Sequence, residues 1–113
     1  MIKNSTRKTI ITDDYKLLES TWSQARGLMF STKPRCLLFD FKREKRIGLH
    51  MFFVFFPIDV LFLDKDKEVV ELKEKFRPFT FHGPKSDRIR YIIELPAKSI
   101  RRTRTKVGDK IEF

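Results

Sequence analysis

The apolar residues of this chain fall into short runs that end at turn-forming residues, and this pattern limits the possible fold more than any other feature. The clearest runs are Thr9–Thr12, Arg35–Phe41, Ile47–Phe55, Ile58–Leu63 and Arg88–Leu95. Runs this short, some with polar and apolar side chains in alternation, are typical of β-strands. We therefore predict an all-β fold, mainly strand with one or two short helices, in a small β-sandwich or partly closed barrel of about seven strands.

Two short helices are predicted between the strands. Thr21 and Gln24 form a capping box, and Gly27 can adopt the left-handed conformation that ends a helix, so the first helix is predicted over Trp22–Arg26. The second is predicted over Ser99–Arg104. Further strand patterns, one of them limited to an edge by an internal proline, occur at Glu68–Leu72, Phe76–Phe81 and Ile111–Phe113.

Length and cysteine content limit the organisation and setting of the chain. With 113 residues it has the size of one domain, and nothing in the sequence divides residues 1–113 into two. Cys36 lies among apolar residues, so we expect a buried, unreactive thiol and no disulfide. The first residues lack the apolar core of a signal peptide, and Leu49–Leu63 is shorter than the ~20 residues that span a bilayer. These features predict a cytoplasmic protein.

The chain carries a large excess of positive charge. Lys and Arg number 25 against 15 Asp and Glu, which gives a net charge of +10. This charge attracts polyanions, so nucleic acid, an anionic membrane surface and acidic metabolites are candidate partners; it also keeps a protein soluble without any partner. Asn4 and Gln24 are the only Asn and Gln, while ionic side chains are abundant, as in thermophile proteins. We predict a thermophilic source, which a melting temperature below about 60 °C would contradict.

The residues that usually carry catalysis or bind metals do not form a known signature. We expect His50 in the core and His82 in a loop, and neither belongs to a set with the character of a catalytic triad. The four glycines are scattered, so no phosphate-binding loop is present. Asp64 and Asp66 lack the glycine and the closing glutamate of a calcium loop. We therefore expect no cofactor and no metal, and favour a non-enzymatic role.

Asp59 is the polar residue that most needs an explanation, because it interrupts an apolar run. A carboxylate that is buried without a partner costs several kcal/mol, so Asp59 must be exposed, hydrogen-bonded or paired. Arg26 and the backbone N–H groups near Gly27 are candidate partners. Two interpretations remain open: Asp59 ties a turn to a strand, or Arg26, Asp59 and Glu94 form a polar site that binds a ligand.

A dense basic cluster follows the last long strand. Arginine suits bidentate phosphate contacts, so this cluster is a candidate anion or nucleic-acid interface, although a solvated charged rim would have the same composition. Its members are Lys98, Arg101, Arg102, Arg104, Lys106 and Lys110. A second, weaker candidate is aromatic: Phe76, Phe79 and Phe81 lie near Lys75 and Arg77, and would either stack on bases or pack as an apolar edge on the core.

Four segments resemble motifs of one known family, in the same order. They are Arg26-Gly27-Leu28-Met29-Phe30, the run from Pro57 to Asp64, the run from Tyr91 to Ala97, and Val107-Gly108-Asp109-Lys110-Ile111. Together they span the chain from about Trp22 to its C-terminus, and they are similar to motifs of the domain-of-unknown-function-192 family. The resemblance implies a small all-β domain with a little helix, and it implies no activity.

The chain departs from this family pattern at two places. The family usually has an Asn-Thr pair ahead of the proline, whereas the matching stretch here is His50-Met51-Phe52-Phe53-Val54. The glycine that follows the Leu-Pro-Ala segment in the family is replaced by Lys98. A ligand that depends on these positions in other members would bind differently here, or not at all.

Three functional hypotheses follow from the sequence. The first is a non-enzymatic module that binds an anionic partner such as nucleic acid through Arg101, Arg102 and Arg104. The second is a small-ligand or enzymatic pocket formed by Arg26, Asp59 and Glu94. The third is a structural or accessory domain that binds another protein through its apolar edge.

Overall fold

The structure is a computed structural model that describes residues 1–19, 35–50 and 54–113. Within these ranges the chain forms ten strands and one helix (α1). In chain order they are β1 Ile2–Asn4, β2 Thr9–Thr12, β3 Lys16–Leu18, β4 Leu37–Lys45, β5 Leu49–His50, β6 Ile58–Leu63, β7 Val69–Phe76, β8 Phe81–His82, β9 Ile89–Pro96, α1 Ser99–Thr103 and β10 Ile111–Glu112. The all-β prediction is confirmed, and seven of these strands are three residues or longer.

The strands form three sheets. A central five-stranded sheet has the order β3-β4-β9-β6-β7, a three-stranded sheet has the order β10-β1-β2, and β5 pairs with β8. The β3–β4 pair is parallel and the other pairs are antiparallel. Strands β4, β9 and β6 are therefore the inner strands of the central sheet, and each is hydrogen-bonded on both sides.

Strand β6 is buried on both faces of the central sheet, which explains why its sequence is almost entirely apolar. Ile58, Val60 and Phe62 pack in the core on one face, and Leu61 and Leu63 pack in the core on the other. This second core also includes side chains from β1, β2, α1 and β10, namely Ile2, Ile11, Ile100 and Ile111. The three-stranded sheet and α1 thus cover one face of the central sheet, in a sandwich-like arrangement.

Several local predictions differ from the structure. The short strands β1 and β3 were not predicted from the sequence. Phe76–Phe81 is not one strand, because residues 77–80 turn between the end of β7 and the start of β8. His82 lies in β8 rather than in a loop, and Cys36 is half-buried rather than buried. The helix predicted over Trp22–Arg26 lies outside the described residues.

A buried polar network joins the two ends of the chain. The Asn4 side chain, which is fully buried, donates hydrogen bonds to Asp109 Oδ2 (2.9 Å) and Thr105 Oγ1 (3.1 Å). Arg7 Nε and the backbone N–H of Lys106 donate to the same Asp109 oxygen, at 3.0 and 2.9 Å. Burial alone would raise the pKa of Asp109, but these donors outweigh it and lower the pKa below its usual value.

The described part of the chain contains no helix with the length and apolar character needed to cross a membrane.

Candidate functional site

Asp59 is fully buried at the second position of β6, and both of its carboxylate oxygens accept backbone hydrogen bonds. Oδ1 accepts the N–H of Lys75 near the end of β7, at 3.1 Å. Oδ2 accepts the N–H of Ile100 in α1, at 2.8 Å. Because these donors belong to two elements far apart in sequence, Asp59 fixes the end of β7 and the start of α1 relative to β6.

Asp59 takes the place of a local cap for α1. The N-cap residue, Lys98, has φ 75° and ψ 0° and makes no side-chain capping hydrogen bond. The second helical residue, Ile100, would then present an unpaired N–H group, and the Asp59 carboxylate accepts it instead. A negative charge at this end of a helix is also favourable. The Ser99 hydroxyl donates to Pro96 O (2.6 Å), which further ties α1 to β9.

A cleft of about 350 Å³ opens above Asp59. We call it the cationic cleft, and its lining residues are Asp59, Glu74, Lys75, Lys98 and Arg101. Lys75, Lys98 and Arg101 are exposed, as is Glu74, whereas Asp59 forms the buried floor. The cleft thus presents three cations and one exposed carboxylate to solvent, and its floor carboxylate already accepts two N–H groups.

The cleft joins residues that the sequence placed in two separate candidate sites. Asp59 came from the predicted polar site, and Lys98 and Arg101 came from the predicted anion interface. Glu74 was not singled out, and Lys75 was named only as a neighbour of the phenylalanines. The sequence pattern of β7 and of the turn after it could have indicated that Glu74 and Lys75 are exposed. It does not reveal that Lys75 lies beside Asp59.

The remaining members of the basic cluster lie outside the cleft. The Arg102 guanidinium donates to the backbone oxygens of Ile10 (3.3 Å) and Ile11 (2.7 Å), and so holds α1 to β2. Arg104 and Lys106 are exposed on the surface after α1. Of the six members of the basic cluster, the structure therefore brings two into the cleft, uses one to secure the helix and leaves Arg104, Lys106 and Lys110 on the surface.

Of the other two members of the predicted polar site, Glu94 is described and does not line this cleft. Arg26 lies outside the described residues. Glu94 pairs with Val60, whereas Asp59 pairs with Leu95, so successive register positions place the two carboxylates on opposite faces of the central sheet. Glu94 is 8% exposed, and burial raises its pKa to about 7.

The predicted aromatic site divides into a buried part and an exposed part. Phe76 is 2% exposed and belongs to the core, whereas Phe79 and Phe81 are 54% and 69% exposed. Phe55, which was not singled out from the sequence, is 59% exposed, and its ring contacts that of Phe79. Phe76 therefore packs in the core, whereas Phe79 and Phe81 are exposed to solvent.

The chain is similar to proteins that have no assigned function. The model of the DUF192 family, described as Uncharacterized ACR, matches residues 2–113. A UPF0127 protein of Thermococcus sibiricus is 36% identical over all of this chain and 74% of its own length. A UPF0127 protein of Pyrococcus horikoshii is 34% identical over all of this chain and 98% of its own. The thermophilic source stays a prediction.

Two solved structures share the fold. A protein of unknown function from Novosphingobium aromaticivorans has a TM-score of 0.79 at 23% identity, covering 88% of this chain and 74% of its own. A protein of Sinorhizobium meliloti, named as a candidate transcription regulator, has a TM-score of 0.80 at 24% identity, covering 87% of this chain and 79% of its own. At these identities the likeness concerns the fold alone.

Proposed function

Since the chain belongs to the DUF192 family, whose members carry no assigned activity, we propose from its own geometry that it is a non-enzymatic module that binds an anionic partner, with nucleic acid as the first polyanion to test. The observation that supports this proposal is the convergence of Lys75, Lys98 and Arg101 on one cleft of about 350 Å³. The cleft is large enough to enclose a phosphate group together with part of the group that carries it.

The charge of the cleft favours an anion despite its two carboxylates. Asp59 is buried and accepts hydrogen bonds from two backbone N–H groups, which partly offset its negative charge. Glu74 is exposed to solvent, which screens its charge. The three cations are exposed, so a phosphate can reach them without opening the fold.

The backbone of the cleft supports the same interpretation. Lys75 has φ 50° and Lys98 has φ 75°, and both values lie in the left-handed region, which costs most residues about 1 kcal/mol or more. Glycine adopts this region without that cost, and the family motif that this segment resembles has glycine at the position of Lys98. A lysine that holds a strained backbone conformation and lines a cleft is therefore a candidate functional residue.

The test is the salt dependence of nucleic-acid binding. Fluorescence anisotropy of labelled 12-nucleotide RNA and DNA would be measured at about 50 and 200 mM salt. Three phosphate contacts to a single strand give a logarithmic slope of about −2, so a fourfold rise in salt should weaken binding about 20-fold. The double variant Lys98→Ala/Arg101→Ala should bind at least tenfold more weakly at 50 mM salt, with a slope about 1.4 units shallower.

A charge-matched variant separates the cleft from the net charge. Lys3→Ala/Lys65→Ala removes two exposed lysines, one in β1 and one in the turn after β6. This control should keep most of the affinity. Equal losses in the two double variants would show that binding follows total charge and would overturn the role of the cleft. Absence of salt-dependent binding of either nucleic acid at 50 mM salt would overturn the function itself.

A small anionic ligand is the second candidate, because a cleft of about 350 Å³ also suits a single phosphorylated or carboxylate molecule. Inorganic phosphate and a nucleoside monophosphate, added at millimolar concentration, distinguish the two cases. A rise in melting temperature that Lys98→Ala/Arg101→Ala abolishes, without binding of the 12-nucleotide strands, would favour the small ligand.

A further inference from the structure

Three phenylalanines are exposed in the segments just before β6 and just after β7. Phe55, Phe79 and Phe81 are 59%, 54% and 69% exposed. The same chain buries other phenylalanines almost completely, such as Phe62 at 0% and Phe76 at 2%. A single exposed apolar residue needs no explanation, but several large rings left outside a well-filled core mark a surface that contacts something.

The ring of Phe79 is held in place at a cost in backbone energy. Phe79 has φ 60°, a left-handed conformation in which a bulky residue is an outlier. Its ring contacts that of Phe55 edge to face, with centroids 6.0 Å apart. A turn that served only to connect β7 and β8 would be easier to form with glycine at this position.

The ring of Phe81 is seated between two glycines. A Cβ atom on Gly48 would lie 2.9 Å from Phe81 Cζ, and one on Gly83 would lie 3.3 Å from Cε1. The next residue, His82, points the other way: its ring lies 5.6 Å from that of Phe62, and its Nε2 lies 2.8 Å from a Glu71 oxygen. Because His82 is held inside, strand alternation directs Phe81 outward.

Phe55 and Phe79 lie at the same end of the central sheet as the cationic cleft. One row of paired residues crosses this end, in which Ile58 pairs with both Phe76 and Pro96. Phe55 precedes this row in the chain, the turn that carries Phe79 follows it, and Lys98 lies two residues beyond Pro96. The turn also contains Arg77, whose side chain is exposed.

We propose that Phe55, Phe79 and Phe81 form a stacking platform for the bases of single-stranded nucleic acid, whose phosphates the cationic cleft binds. This inference rests on the proposed function and names its partner. Aromatic rings beside cations bind single strands because unpaired bases can stack on the rings while the phosphates contact Lys and Arg. A duplex keeps its bases stacked on one another and cannot use the rings. The net charge of +10 favours a strand over an apolar protein partner.

The test compares single-stranded and duplex ligands in variants that lose one ring. Phe79→Gly removes a ring and also relieves the left-handed backbone, so the melting temperature should stay the same or rise. Phe81→Leu keeps an apolar side chain but removes the aromatic face. Each variant should bind a 12-nucleotide single strand roughly tenfold more weakly, with an unchanged salt slope, and should bind a 12-base-pair duplex as the unaltered protein does.

The control variant is Leu17→Ala, which removes an exposed apolar side chain from β3, 47% exposed, and should leave binding unchanged. Single-strand binding that survives Phe79→Gly and Phe81→Leu but falls in Lys98→Ala/Arg101→Ala would overturn the platform and leave the proposed function standing. Concentration-dependent self-association, measured by sedimentation and lost in Phe81→Leu, would identify a second copy of the chain as the occupant and would also overturn the platform.

Discussion

Asp59 and Glu94 lie next to each other in the central sheet but face opposite sides of it, and their surroundings differ. Asp59, which is fully buried, accepts two backbone N–H groups. Glu94 is 8% exposed on a face whose cross-strand neighbours are Leu37 and Val60, and burial alone raises its pKa to about 7. Both carboxylates are thus buried, but Asp59 accepts hydrogen bonds from the backbone, whereas Glu94 is readily protonated.

The difference shows that burial does not by itself define the role of an acidic residue. Asp59 accepts two backbone N–H groups and so joins β6 to β7 and α1. These contacts give the cationic cleft its shape. Glu94 gains nothing comparable from its strand neighbours, so its ionised form is disfavoured. Asp59 is therefore expected to stabilise the fold through the two hydrogen bonds that it accepts, and Glu94 to destabilise the fold when charged.

The largest effect is expected from Asp59→Ala. The substitution leaves the N–H groups of Lys75 and Ile100 without their acceptor. The first of these hydrogen bonds is partly buried and the second is buried, and the two losses together cost about 3 kcal/mol of the free energy of unfolding. Urea unfolding at pH 7 measures this loss. Asp87→Ala, which removes an exposed carboxylate before β9, is the matched control and should change stability by less than about 0.5 kcal/mol. A loss for Asp59→Ala as small as that of the control would contradict the structural role assigned to Asp59.

Glu94→Gln should have an effect of similar size, of opposite sign and dependent on pH. Because the pKa of Glu94 is raised to about 7, the folded state binds a proton that the unfolded state has already released between about pH 4.5 and 7, so the unaltered protein loses stability as pH rises through this window. A pKa shift of this size corresponds to about 3 kcal/mol. The variant does not titrate there, so it should match the unaltered protein near pH 4.5 and exceed its stability by about 3 kcal/mol at pH 8.5.

Unfolding of both proteins in urea at pH 4.5 and 8.5 tests this prediction. Glu112→Gln, which alters an exposed glutamate in β10, should show no comparable gain at pH 8.5. If Glu94→Gln gave the same stability difference at both pH values, the proposed contrast with Asp59 would not hold.

The smallest effect is expected from Lys98→Gly. Relief of the left-handed backbone gains about 1 kcal/mol, and the greater freedom of glycine in the unfolded chain offsets about half of it, so the net gain should be about 0.5 kcal/mol. The melting temperature and urea midpoint measure it, with Lys65→Gly in an exposed turn as the comparison. A loss of more than about 1 kcal/mol would mean that the Lys98 ammonium helps to offset the charge of Asp59, in addition to the two N–H donors.

Strand positions were predictable where the sequence pattern was purely local. Thr9–Thr12 and Ile58–Leu63 were predicted with the bounds that the structure shows, because turn-forming or proline residues flank both runs. The alternation in the run Arg88–Leu95 predicts that Ile89, Tyr91, Ile93 and Leu95 lie on one face, and Tyr91, Ile93 and Leu95 do share one core. It failed at Ile89, which packs in the other core, near the place where the register between β4 and β9 shifts. Such a shift depends on the partner strand, which a local pattern does not reveal.

The need for a partner at Asp59 was predictable, but the partners were not. An acidic residue inside an apolar run signals that something must compensate its charge, and the sequence suggested Arg26 or the backbone near Gly27. The partners in the described part of the chain are the N–H groups of Lys75 and Ile100, which lie 16 and 41 positions away in the sequence, and Arg26 and Gly27 lie outside the described residues. Every residue except proline carries a backbone N–H group. The pattern of side chains therefore does not indicate which N–H groups will lie next to a given carboxylate in the fold.

The network around Asn4 has a consequence for how the chain folds. Asn4 and Asp109 are 105 positions apart in the sequence, and β1 pairs with β10 beside them. The three-stranded sheet therefore cannot form until nearly the whole chain has closed into a loop, and the entropy of that closure is lost before the contacts compensate it. Refolding is expected on the scale of milliseconds to seconds, as for other domains in which distant segments pair, rather than the microseconds of small helical proteins.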